Sequence, residues 1–186
     1  MAAHISGAAG AFLRGNVGKI AAVLAVLLVF SIVLNISARA VIVIPLLMLL
    51  ASFSTFYFNY VSLPVNFELV KLSTVLAAVS YGFLPGLAVG VTSTFFGKVL
   101  IGRIDERLPI SMLMISLMAA VASVFGSHGI TGLGIALVLA YNLAMLFLSQ
   151  MIGGDLAWNI PYEASNFLFN IILFAKLAPF MLKLIG

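Results

Sequence analysis

The stretch VNFELVKLSTVLAAVSYGFLPGLAVGVTSTFFGKVLIG, residues 65–102, decides how this chain folds. Glu68 and Lys71 enter a long apolar run, Pro85-Gly86 breaks it, and Lys98 stands near its end. Each half approaches twenty residues. At about 1.5 Å of rise per residue, a helix of that length crosses a thin bilayer. The stretch therefore reads as a helical hairpin that folds back at Pro85-Gly86. The fold returns Lys98 to the side of the membrane that holds Glu68 and Lys71.

Composition extends this reading to the whole chain. Of 186 residues 64% are hydrophobic and 8% are charged, whereas soluble domains carry about 25% charged residues. A water-soluble fold has no place for so much apolar surface. Inside a bilayer every backbone group must be satisfied by the protein, so only helices or a closed barrel can span it. The apolar runs are continuous and lack the alternation of about ten-residue barrel strands. The expected class is all-α, a polytopic integral membrane bundle with six or seven transmembrane helices, multi-pass in the cell membrane, with the lipid bilayer as its solvent. The absence of cysteine excludes disulfides, thiolate metal sites and cysteine nucleophiles. His4 and His128 lie far apart and suggest no metal site or cofactor, and the net charge of +4 comes from no basic cluster that would bind nucleic acid.

Seven apolar segments follow one another: 19–36, 40–60, 66–84, 86–102, 108–127, 131–152 and 161–185. Residues 1–18, rich in Ala and Gly, read as a flexible or interfacial tail, and residues 19–186 as one bundle domain. The linkers are short, so consecutive helices are expected to run antiparallel as neighbours. Ala38-Arg39-Ala40 faintly resembles a signal-peptide cleavage site, but the preceding run is long for one, and a retained first helix is the expectation. Arg14, Lys19, Arg103 and Arg107 share one side in this count, against Arg39, Lys176 and Lys183 toward the other. That is a slight preference for the first side being cytoplasmic.

Ionisable residues within a membrane segment are costly and mark cavities or paths. Glu68 and Lys71, then Lys98, then Trp158, Asn159 and Glu163 all fall on one side of the expected bundle. Glu163, Asn166 and Asn170 share one helical face, which continues the polar lining inward. These eight positions are the candidate solute-binding residues. Lys71 and Lys98 would hold anionic groups, the Asn residues would orient by hydrogen bonds, and Trp158 would stack or cap. Glu68 and Lys71 can equally satisfy each other across one turn, and Asn142 reads best as a hydrogen-bonding contact between helices. Residues 103–107 read as a solvated loop. Gly82, Gly86 and Gly90 repeat at a spacing that lets helix backbones approach closely, and Ala21 and Ala25 form a shorter small-residue pair.

No metalloprotease, nucleophile-elbow or phosphate-loop motif occurs, so no enzyme activity is expected and any active transport must draw its energy from a partner. The stretch FELVKLSTVLAAVSYGFLPGLAVGVTSTFFG (67–97), the stretch NIPYEASNFLFNIILFAKLAPFMLKL (159–184) and the Ala-x-x-x-Ala pair resemble the substrate-binding (S) components of energy-coupling factor transporters. The resemblance implies a small vitamin-like or polar solute held at one membrane face. It also implies docking of the Ala21–Ala25 helix on a transmembrane coupling protein driven by ATPase subunits. The family normally has six helices where seven segments are counted here. Two other classes compete with uptake. One is a structural or assembly subunit of a membrane complex. The other is an intramembrane enzyme acting on a lipid, with Glu68 or Glu163 as acid or base.

Overall fold

A computed structural model describes residues 37–185. The tail at 1–18, the apolar segment 19–36 and the Ala21–Ala25 pair lie outside the described residues. The chain divides into two compact units, Met1–Ile42 and Val43–Gly186. In the first, Ser37 precedes helix α1 (Ala38–Phe53), and its Oγ accepts from the Ala40 N–H at 3.2 Å. The second holds the rest of α1, a 3₁₀ turn (Phe56–Asn59), α2 (Val70–Tyr81), α3 (Phe83–Leu100) and α4 (Arg107–Phe125). These are followed by α5 (Ile130–Met151), α6 (Leu156–Ile172), a π turn (Leu173–Leu177) and α7 (Ala178–Ile185).

The described residues form a helical bundle without strands, as the composition requires. Five stretches are long and apolar enough to cross a membrane: Arg39–Asn59, Phe83–Leu100, Arg107–His128, Ile130–Met151 and Leu156–Ile185. Each shows the two-faced pattern of a lipid-facing helix. On α4, Ser111, Ile115, Met118 and Ala122 are buried, while Leu113, Leu117, Val121 and Val124 are exposed. Lipid tails are as apolar as leucine, so burial of apolar area does not drive these helices together. Close packing and hydrogen bonds between helices do.

The expected span at 66–84 is the exception. Its helix, α2, has only 12 residues, about 18 Å of rise against about 30 Å of hydrocarbon. All residues from Val70 to Ala78 are buried, so α2 meets protein rather than lipid around its circumference. Residues 61–69, partly assigned to that span from the sequence, form an irregular strap instead.

The hairpin of α2 and α3 turns at Gly82, not at Pro85-Gly86. Gly82 takes φ +93°, a conformation that L side chains rarely adopt. Pro85 falls in the first turn of α3, where a missing N–H is harmless; Gly86 donates to the Gly82 carbonyl at 3.2 Å. The glycine repeat does set the packing. A Cβ on Gly86 would lie 2.8 Å from Ala78 Cα, and one on Gly90 would lie 2.8 Å from Thr74 Oγ1. Ala78 and Gly86 flank Gly82 by one turn, Thr74 and Gly90 by two. The two helices thus pack antiparallel in a register centred on Gly82.

Helix α1 joins this pair through polar contacts. Ser93 Oγ donates to Met48 O at 3.3 Å, and Thr55 Oγ1 donates to Gly97 O at 3.3 Å. At the far end of the chain, Pro179 explains the π turn. Ala178 N–H reaches back to Leu173 O. The same register would leave Phe174 O to the nitrogen of Pro179, which carries no proton. Thr131 Oγ1 of α5 donates to Phe174 O at 3.0 Å instead.

The two ends of the bundle differ as the charge distribution indicates. At the Gly82 end, Tyr81 OH donates to Ile185 O at 2.7 Å and Gly126 abuts Val79. The opposite end carries the Lys98–Asp105 ion pair and a bond from Asn59 Nδ2 to Leu100 O at 3.4 Å. We expect Gly86→Ala to destabilise the protein by about 1–3 kcal/mol through overpacking against the Ala78 backbone. Gly132→Ala, in α5 with open space around it, should be neutral or stabilising, by up to about 1 kcal/mol. Thermal unfolding of both variants in lipid nanodiscs compares them directly.

Candidate functional site

Because α2 stops short, the strap at 61–69 brings non-helical backbone into the bundle. Such backbone survives at membrane depth only when protein or cavity water satisfies it. Side chains from the neighbouring elements do so here. The Tyr57 hydroxyl accepts from Phe67 N–H at 2.8 Å and donates to Val65 O at 3.0 Å. Ser54 Oγ accepts from Leu69 N–H at 2.9 Å, and Ser165 Oγ accepts from Asn66 N–H at 2.9 Å. Asn166 Nδ2 approaches Asn66 O at 3.5 Å.

Above the start of α2 lies a cavity of about 160 Å³. It is bounded by α2 to α6 and by the strap, with exposed Trp158 at its mouth and buried Lys71 and Asn66 at its floor. Lys71, 1% exposed, forms the floor, ion-paired with Glu68 and with Nζ 4.3 Å from the centre of the Tyr141 ring. Asn66 and Glu163 complete the floor, and both hold acceptors without a partner: Asn66 Oδ1 and Glu163 Oε2. Lys71 and Arg107 attract the Glu163 carboxyl and Glu68 repels it, and Glu163 makes no ion pair among the described residues.

The mouth carries Lys98, Arg103, Asp105, Arg107 and Trp158. Lys98 Nζ meets Asp105 Oδ2 at 3.1 Å. Arg103 lies over the Phe58 ring at 5.8 Å. Arg107 Nη1 donates to Asn159 Oδ1 at 2.9 Å beneath the tight corner at Gly153-Gly154. Gly154 leaves no room for a side chain, since a Cβ there would lie 2.6 Å from Ser149 O and 2.9 Å from Arg107 Nη2. Among the described residues no three His, Cys, Asp or Glu side chains group in a way that could hold a metal ion.

Of the eight residues expected at a solute site, Glu68, Lys71, Lys98, Trp158 and Glu163 line this cavity. Asn159 stands behind the mouth and fixes Arg107. Asn166 and Asn170, fully buried, turn into the interface of α6, where Asn170 Nδ2 donates to Asn166 O at 2.9 Å. Helical periodicity places them correctly on one inward face, but that face meets the strap rather than open space. Asn142 joins α5 to α6 through Nδ2 to Glu163 O at 3.1 Å, the contact between helices read for it.

The sequence reading missed Asn66, Tyr141, Arg103 and Arg107. Residues 103–107 are not simply a solvated loop, since Arg103, Asp105 and Arg107 turn onto the cavity and Glu106 is exposed. Their alternating charge carries no periodic signal that separates a cavity wall from a surface loop.

The Glu68–Lys71 pair is the energetic centre of the floor. Removing one partner of a buried pair leaves an uncompensated charge and typically costs about 3–5 kcal/mol. Lys71→Met should therefore destabilise by about that amount, and Glu68→Gln/Lys71→Met should recover most of the loss. A double-mutant cycle on denaturation midpoints in nanodiscs measures both. Comparison with protein-family models, with curated proteins and with solved structures finds no match for the chain.

Proposed function

We propose that this chain is the solute-binding component of a membrane uptake system, located in the cell membrane and similar to the S components of energy-coupling factor transporters. The observation that carries the reading is the cavity itself, a polar pocket with a buried Lys71–Glu68 floor in an otherwise apolar bundle. Charges at such depth are costly and mark ligand or ion paths in membrane proteins. Discontinuous helices serve substrate sites in many transporters, and the short α2 with its strap fits that pattern.

In this reading the five span-length helices, the short α2 and the apolar segment 19–36 make up the seven helical segments of the bundle. The cavity opens at the charged loop end. Energy for uptake comes from a coupling protein and ATPase subunits, because the chain carries no phosphate-binding loop. The segment with Ala21 and Ala25 is the docking element for that partner.

Thermal-shift screening of the protein in nanodiscs against vitamins, nucleobases and amino acids tests the proposal. A true ligand at a hundredfold excess over Kd stabilises by about 2.7 kcal/mol, so a saturable rise in Tm is expected for at least one compound. Glu163→Ala should abolish it. No shift with any compound at millimolar concentration would overturn the solute-binding reading.

A further inference from the structure

The charges in the cavity are not all equivalent. Seven ionisable lysine, arginine and carboxyl side chains line it: Lys71, Lys98, Arg103 and Arg107, with Glu68, Asp105 and Glu163. Two lysines are taken by two carboxylates, Lys71 by Glu68 and Lys98 by Asp105. The groups without an ion-pair partner among the described residues are two guanidiniums at the mouth and one carboxyl near the floor. They are separated along the axis of the cavity. Asn159, which holds Arg107, precedes Glu163 on α6 by one turn, so the backbone that carries Glu163 lies about 6 Å further along the helix.

The neutral groups agree in sign with the charged ones. Asn66 is 2% exposed and lines the floor, and its side-chain oxygen has no donor. Glu163 Oε2 has none either. A buried acceptor left without a donor carries a desolvation penalty of about 1–3 kcal/mol. A nitrogen donor between Asn66 and Glu163 would remove two such penalties together. At the mouth, planar guanidiniums suit a carboxylate or phosphate, which they can bind through two parallel N–H bonds.

Resting on the solute-binding reading above, we propose that the cavity recognises a small zwitterion, its ammonium nitrogen at Glu163 and Asn66 and its anionic group at Arg103 and Arg107. The volume sets the scale. A cavity of about 150 Å³ accepts a molecule the size of benzene, so 160 Å³ suits a solute of roughly six to ten non-hydrogen atoms. The spacing of the two poles favours a nitrogen and an acid separated by several methylenes over an α-amino acid.

Isothermal titration of the full chain in nanodiscs with four matched probes tests this: 5-aminopentanoate, pentanoate, pentylamine and glutarate. The zwitterion should bind at least about tenfold more tightly than any probe that lacks one pole, the scale of one lost charge-assisted hydrogen bond. Glu163→Gln, nearly isosteric, should weaken 5-aminopentanoate about tenfold or more and leave pentanoate unchanged. Arg103→Gln should weaken 5-aminopentanoate and leave pentylamine unchanged. Equal or tighter binding of pentanoate or glutarate overturns the zwitterion proposal while the solute-binding reading stands. Pentylamine binding as tightly as 5-aminopentanoate overturns the anionic half. Absence of binding by all four overturns the proposal; the vitamin and nucleobase screen then decides the broader reading separately.

Discussion

Helix α2 has only 12 residues, about 18 Å of rise, and the peptide groups of the strap before it shape everything nearby. Outside any helix they have no ladder of their own, so side chains must provide partners. Ser54, Tyr57, Ser165 and Asn166 converge on the strap from the residue after α1, the 3₁₀ turn that follows and α6. Those elements must then stand close around the strap. The cavity lies above the start of α2, beside the strap. One constraint, satisfaction of peptide groups at depth, fixes both the helix arrangement and the position of the pocket.

Close approach of backbones does the remaining work. In lipid the helices gain little from hiding leucines, so contact must come from small residues and hydrogen bonds. Gly86 and Gly90 against Ala78 and Thr74 hold α3 to α2, while Ser93 and Gly97 hold it to α1 and Thr55. The π turn before Pro179 follows the same logic, since Thr131 donates to the Phe174 carbonyl that the proline cannot serve.

Much of this was legible in the sequence, for identifiable reasons. Continuous apolar runs gave the helical membrane class, and the uneven charges separated a polar end from a trimmed one. The glycine spacing announced the α2–α3 contact, and Glu68 and Lys71, which the sequence places at a rim with Lys98, lie at the buried end of the cavity instead. The misses have separate physical causes. Hydropathy reports what a segment tolerates, not where its peptide groups find partners, so 66–84 looked like a complete span. Pro85-Gly86 looked like the turn because proline breaks helices in their interiors; in a first turn it does not, and Gly82 made the bend. Asn166 and Asn170 were placed on the correct face, but periodicity cannot distinguish a face that meets a strap from one that meets open space.

The burial of α2 from Val70 to Ala78 also bears on how the protein is made. A nascent helix of this length, with unfinished backbone at one end and a charged pair beside it, has no stable position alone among lipid chains. Its close contact with α3 shelters one side of it before the later helices are made. Only when α6 arrives, carrying Ser165 and Asn166, does the strap acquire its last partners. Assembly of the interior is therefore tied to synthesis of the C-terminal helices, and a chain cut before α6 would leave its central hairpin exposed to quality control.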